Sequence, residues 1–238
     1  MTVRTAWVTG ASRGIGRAVA RNLHGDGYRV FATGRDRGAL RELAGQVGEG
    51  LWPEAFDLTD EAAVRRAFGI LQERWGTPEV LVNSAGVGHG SPLLEGTVEQ
   101  WRQILEVNVL GLSLCTRLVV DALLAEKRTG QVVHISSMSG HRTVTYAGMY
   151  AASKFAVQAL TEGLRLELRE RGSTIRVSSI APGTVQTRFG LDPDEPDRER
   201  PYPLLQADDV ADAVRFVLDT PPHVDVGDLL LRPTGQPR

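Results

Sequence analysis

Short apolar runs alternate with amphipathic stretches along the whole chain. Residues 5–9, 28–33, 51–56, 79–82, 131–136, 174–180 and 228–231 read as strands. Helical spacing covers residues 15–24, 37–46, 61–74, 98–126, 148–170 and 207–218. Several of the strand runs lack polar alternation, as expected where both faces of a strand are buried. Strands alternating with helices imply a parallel sheet with helices on both faces. Right-handed crossovers wind such a sheet in both directions. The predicted fold class is therefore α/β, with a doubly wound parallel sheet flanked by helices and one domain over 1–238. Internal repeats, low-complexity tracts and long linkers are not seen in the sequence.

Composition narrows the function. The chain has 238 residues, 42% of them hydrophobic, enough for one substantial core. A formal net charge of −2, with both signs interspersed, points to neither nucleic acid nor membrane as a partner. The single cysteine, Cys115, rules out an intrachain disulfide and fits a reducing compartment. The N-terminus runs almost directly into a strand without a signal-like pattern. There is no unbroken run of about 18 apolar residues. The expectation is a cytoplasmic protein. His24, His89, His134, His141 and His223 are scattered without ligand spacing, so no metal is expected.

Two motifs carry chemistry. Thr9-Gly10-Ala11-Ser12-Arg13-Gly14-Ile15-Gly16 joins the first strand to the first helix. Glycines there permit a tight turn and close approach of backbone to a pyrophosphate, which the helix N-terminus then attracts. Tyr150-Ala151-Ala152-Ser153-Lys154 sets a phenol and an ammonium four residues apart on one helix face. A lysine cation favours the phenolate and lowers a tyrosine pKa, so the pair can pass a proton to or from a substrate oxygen.

With its Gly-x-x-x-Gly-x-Gly loop and this Tyr–Lys pair, the whole chain resembles the short-chain dehydrogenase/reductases in their compact form. Other landmarks of that family occur in order. They are Asn83-Ser84-Ala85-Gly86, Asn108, Ser137 and Pro182-Gly183. Ser84 departs from the family's usual second asparagine. The resemblance implies a Rossmann-type fold and a catalytic set of Asn108, Ser137, Tyr150 and Lys154. Tyr150 would be general acid in carbonyl reduction and general base in alcohol oxidation. Lys154 would lower its pKa and hold the nicotinamide ribose, Ser137 would orient the substrate oxygen, and Asn108 would link to Lys154 through a water.

The same resemblance implies a cofactor site. Gly10, Ser12, Arg13, Gly14, Ile15 and Gly16 would cradle the phosphates. Asp57 and Leu58 would line the adenine pocket, although Asp57 could equally cap the helix that begins near Asp60. Asn83, Ala85 and Gly86 would pack along the adenosine side, with Pro182, Gly183, Val185 and Thr187 at the nicotinamide. NAD-specific folds place an acidic residue at the end of the second strand. This chain has Gly34 there, followed by Arg35. Gly34 leaves room for a 2′-phosphate, which Arg35 and Arg13 suit as forked cations. Both arginines could instead be solvated surface groups, and Asp36 could hold a ribose hydroxyl and so favour NAD. The expected cofactor is NADP(H) in preference to NAD(H).

The expected activity is reduction of a ketone or aldehyde with NADPH. An alcohol or 3-hydroxy-acid dehydrogenase is the oxidative alternative, and a non-catalytic dinucleotide sensor a remote one. Residues 188–205 would form a substrate loop, with further wall residues at 87–91, 138–144 and 147. His141-Arg142 could meet an anionic substrate or be an exposed loop pair. Local stretches resemble ketosteroid reductases and bacterial 3-hydroxy-acid dehydrogenases, which leaves the small-molecule substrate open. Family analogy implies a homotetramer, with a dimer as the alternative.

Overall fold

In the computed structural model, which describes residues 3–88, 92–189 and 201–236, seven parallel strands form one sheet. They are β1 (Thr5–Thr9), β2 (Arg29–Gly34), β3 (Leu51–Ala55), β4 (Val80–Asn83), β5 (Gln131–Ile135), β6 (Arg176–Pro182) and β7 (Asp228–Leu231). Their order is β3-β2-β1-β4-β5-β6-β7. The order reverses between β1 and β4, where open α/β sheets bind ligands beyond the carboxyl ends of the strands. This is the doubly wound parallel sheet the alternation predicts, in the Rossmann-type form the resemblance implies.

The helices are α1 (Gly14–Gly25), α2 (Arg37–Val47), α3 (Glu61–Trp75), α4 (Val98–Leu105), α5 (Leu112–Ala125), α6 (Gly148–Glu170) and α7 (Ala207–Asp219). Side chains alternate across the sheet and so supply two cores. Ala6 and Val8 of β1 join Val19 of α1, Leu40 of α2 and Val214 of α7 on one face. Trp7, between them, joins Val64 of α3, Val119 of α5 and Leu168 of α6 on the other. The Trp7 ring stacks on Phe68 and its indole N–H donates to Thr33 Oγ1 at 3.0 Å, which fixes β1 against β2 and α3. Asp36 caps α2 by accepting from Ala39 N, and Asp60 caps α3 by accepting from Ala63 N.

The helix expected over 98–126 is interrupted. Its first part begins with a capping box of Thr97 and Gln100, and a π-helical turn, Glu106–Gly111, separates α4 from α5. The stretch Val98–Ala125 is long and apolar enough to cross a membrane, with mean hydropathy 1.7 over an 18-residue window. Here it serves as a core helix: Ile104, Cys115, Val119 and Leu123 are fully buried.

Candidate active site

The ends of β1, β2, β4, β5 and β6 open onto one cleft of about 840 Å³. At one end lies the glycine loop. Gly10 has φ +71°, and a Cβ there would stand 2.7 Å from both Cα and N of Ala85. Only glycine allows the loop after β1 to lie this close to the loop after β4. Thr9 ties the two together, because its hydroxyl oxygen accepts from Ser84 N and Ala85 N, each at 3.1 Å. It is the backbone of Ser84 that is used there, which accounts for tolerance of serine at that position.

Three observations fit this end to a dinucleotide. The N-terminus of α1 opens into the cleft, with no acidic residue in its first turn. Ser12 Oγ is buried in the cleft wall without a protein partner. Arg13 and Arg35 also line the cleft, exposed and without a hydrogen bond or ion pair among the described residues. Asp57, across from Arg35, forms a turn by accepting from Thr59 N at 2.9 Å and Thr59 Oγ1 at 2.8 Å. Partial burial would raise its pKa, but those hydrogen bonds and the Arg35 charge hold it below the usual carboxylate value.

The catalytic candidates lie at the other end. Ser137 follows β5 and starts a 3-10 turn, Met138–Gly140, by accepting from Ser139 N at 3.1 Å. That bond leaves its own proton to donate, and the hydroxyl favours the ionised form of Tyr150. Burial raises the Tyr150 pKa above its ordinary value, and the Ser137 hydrogen bond opposes the rise. Lys154 lies one turn further along α6, with Nζ 5.8 Å from the Tyr150 ring centre, and donates to Ile135 O at 2.9 Å. Burial lowers its pKa to about 8. The lysine is therefore still mostly cationic at neutral pH, although desolvation works against it.

Asn108 stands behind this floor rather than on it. It is 1% exposed and sits in the π turn. Its Oδ1 accepts from Val87 N at 2.8 Å, and its Nδ2 donates to Val87 O at 2.9 Å and Ser153 Oγ at 3.1 Å. The amide thus clamps the loop after β4 onto α6. Ser153 passes the contact on by donating to Tyr150 O at 2.7 Å. Its Oδ1 also lies on the side of Lys154: a Cβ on Gly86 would stand 3.4 Å from Asn108 Oδ1 and 3.9 Å from Lys154 Nζ.

Gly10, Ser12, Arg13, Gly14, Ile15, Gly16, Gly34, Arg35, Asp57, Leu58, Ala85, Gly86, Ser137, Tyr150, Lys154, Pro182, Gly183, Val185 and Thr187 all line the cleft. Asn83 does not. It is 1% exposed, at the end of β4, and its Nδ2 donates to Thr116 Oγ1 of α5 at 2.9 Å, away from the adenosine side. Of the open alternatives, one closes: Asp60, not Asp57, caps α3. Asp36 caps α2 through one carboxylate oxygen and also lines the cleft. Of the two readings of His141-Arg142, the loop pair fits the structure, with His141 exposed after the Met138–Gly140 turn. His141 Nε2 meets Gln158 Nε2 and lies 4.0 Å from Asp228 Oδ2, and neither residue lines the cleft. Of the expected wall, Val87 lines the cleft, whereas 138–144 and 147 do not. Residues 89–91 and 190–200, including most of the expected substrate loop, lie outside the described residues.

The sequence reading gave no separate role to Phe189. Its ring packs against Tyr150, with centroids 5.7 Å apart and planes at 56°. It lay inside the expected substrate loop, but no local signal distinguished it from its neighbours. Ser153 stood in plain view within the Tyr150–Lys154 run.

Residues 4–195 match the short chain dehydrogenase family. The chain belongs to the short-chain dehydrogenase/reductases. It is 40% identical over 247 residues to dehydrogenase/reductase SDR family member 11 of Bos taurus, covering 98% of this chain and 97% of that protein. Farnesol dehydrogenase of Aedes aegypti is 36% identical, covering 98% and 97%. Among solved structures, the closed form of serine dehydrogenase complexed with NADP+ superposes with a TM-score of 0.92 at 30% identity, covering 98% and 96%. The protein is thus an oxidoreductase of this family, acting between an alcohol and a carbonyl.

Proposed function

We propose that the protein is an NADPH-dependent reductase of ketones or aldehydes that also runs in reverse as an alcohol dehydrogenase. The observation that carries this reading is the meeting of Ser137, Tyr150 and Lys154 at one end of a cleft whose other end is a glycine loop at a helix N-terminus. A bound nicotinamide dinucleotide supplies or accepts the hydride. The chain itself orients the substrate and handles the proton. Ser137 can donate to the substrate oxygen while Ser139 N holds its own oxygen in place. Tyr150 gives that oxygen a proton in reduction and takes one in oxidation. The Lys154 cation favours the phenolate that reduction leaves behind.

The preference for NADP(H) is supported by Arg13 and Arg35 at the adenosine end and by Gly34 in place of a carboxylate. Asp36, the acid nearest that position, is engaged in capping α2. The NADP+ named with the serine dehydrogenase structure points the same way. A homotetramer is part of this reading, since Phe155 and Leu166 of α6 and Phe216 of α7 are exposed apolar side chains that another copy would cover.

The test is Tyr150→Phe. Purified variant and wild type are compared for NADPH oxidation against ketones, aldehydes and keto acids, and for NADPH binding by fluorescence. The expected result is loss of turnover with binding retained. A variant that still turns over would end the assignment of Tyr150 as proton donor.

A further inference from the structure

We propose that Phe189, seated in the gap left by Gly88, is the specificity-determining residue that selects carbonyl compounds with an apolar flank over small hydrophilic acids. The proposal rests on the reductase reading above and names the substrate class of that same site. A Cβ on Gly88 would stand 2.5 Å from Phe189 Cε1, 2.9 Å from its Cζ and 3.3 Å from Tyr150 Cδ2. Any residue other than glycine at 88 would displace one of these rings. A Cβ on Gly86 would lie 3.7 Å from Phe189 Cε2 and 3.9 Å from Lys154 Nζ. The phenyl ring therefore stands beside the reacting end of the cleft, against the ring that handles the proton.

Phe189 is 40% exposed, so the part of its ring turned from Tyr150 is available to a ligand. Val87, between Gly86 and Gly88, lines the same cleft and extends the apolar surface. An apolar group laid there leaves water, which favours binding. A carboxylate laid there loses hydration and needs a charged partner to replace it. Of the cations lining the cleft here, Lys154 Nζ already donates to Ile135 O and Arg188 has a partner of its own.

The experiment compares propiophenone with acetoacetate. Values of kcat/KM with NADPH are measured for wild type, Phe189→Ala, Phe189→Leu and Gly88→Ala. In parallel, propiophenone is titrated calorimetrically into each protein–NADP+ complex. The wild type should prefer propiophenone. Phe189→Ala should lose about 10- to 100-fold in kcat/KM for propiophenone, mainly through KM, and change less than about threefold for acetoacetate. Phe189→Leu should recover most of the loss, and Gly88→Ala, which moves the ring without removing it, should shift selectivity in the same direction. Equal factors for the two ketones, or a wild type that prefers acetoacetate, would overturn the proposal. Absence of turnover with any carbonyl compound counts against the reductase reading alone. In that case the calorimetry still decides for Phe189, since equal affinities in wild type and Phe189→Ala overturn it.

Discussion

Replacing Asn108 with alanine separates support of the site from chemistry in it. The substitution removes three hydrogen bonds, two to Val87 and one to Ser153. Ser153 keeps its bond to Tyr150 O, so its loss is partial. Val87 loses partners for both its N–H and its C=O. An unsatisfied buried polar group costs about 1–3 kcal/mol, and water from the cleft would soften the loss, so about 3 kcal/mol is expected for the pair. For a chain of this length that corresponds to a fall in Tm of about 6–12 °C. Val87 lies between Gly86 and Gly88, so the loosened loop should also raise KM for cofactor and carbonyl substrate together. Thermal unfolding and steady-state kinetics on the same preparations measure both effects. Asn108→Asp should be at least as destabilising, because it keeps the acceptor for Val87 N but sets a carboxylate against Val87 O. If Asn108→Ala lost kcat while its Tm stayed within about 1 °C of wild type, the amide would not be the support of this loop. A direct part in proton transfer would then be the better account.

Three further outcomes are expected. Arg35→Ala should raise the KM for NADPH about tenfold and that for NADH less than about twofold, consistent with loss of one exposed charge-assisted hydrogen bond; equal changes would refute the clamp. Because burial raises the Tyr150 pKa, its protonated form persists through neutral pH, so reduction should stay nearly flat from about pH 6 to 8. Oxidation needs the ionised form and should rise with pH over the same range; initial rates in both directions test this, and an oxidation rate that falls with pH would contradict it. Gly111→Ala would place a Cβ 2.6 Å from Leu58 Cγ, pushing Leu58 towards the adenosine end and costing about 1–3 kcal/mol of overpacking. Its KM values for NADPH and NADH should rise together with kcat little changed, and unaltered cofactor KM would show that Leu58 does not shape that end.

The sheet and most helices were legible because runs buried on both faces and amphipathic stretches leave different periods. The glycine loop and the Tyr150–Lys154 run were legible because their geometry is local. What the sequence hid was direction and distance. Asn83 and His134 are register partners on β4 and β5, and both side chains turn to Thr116 on α5. An apolar strand does not reveal which face its one polar residue takes. His141 was drawn away by Gln158 and Asp228, the second of them 87 residues distant in sequence, and no local pattern encodes that meeting. The π turn was equally silent, since one extra residue in a turn barely disturbs hydrophobic spacing. Phe189 became legible only once Gly88 and Tyr150 were seen on either side of it.

That π turn has a consequence for how the chain can change in length. Asn108 and Gly111 both lie within Glu106–Gly111, one clamping Val87 and the other seating Leu58. Deleting a single residue there would restore ordinary α-helical winding and leave Cys115 and Val119 facing the sheet, but it would remove the wide turn that sets Asn108 against Val87. An insertion elsewhere in α5, with no wide turn to absorb it, would rotate the residues beyond it by about 100°. The segment should therefore resist any change in its number of residues, acting as a fixed gauge between the two ends of the cleft.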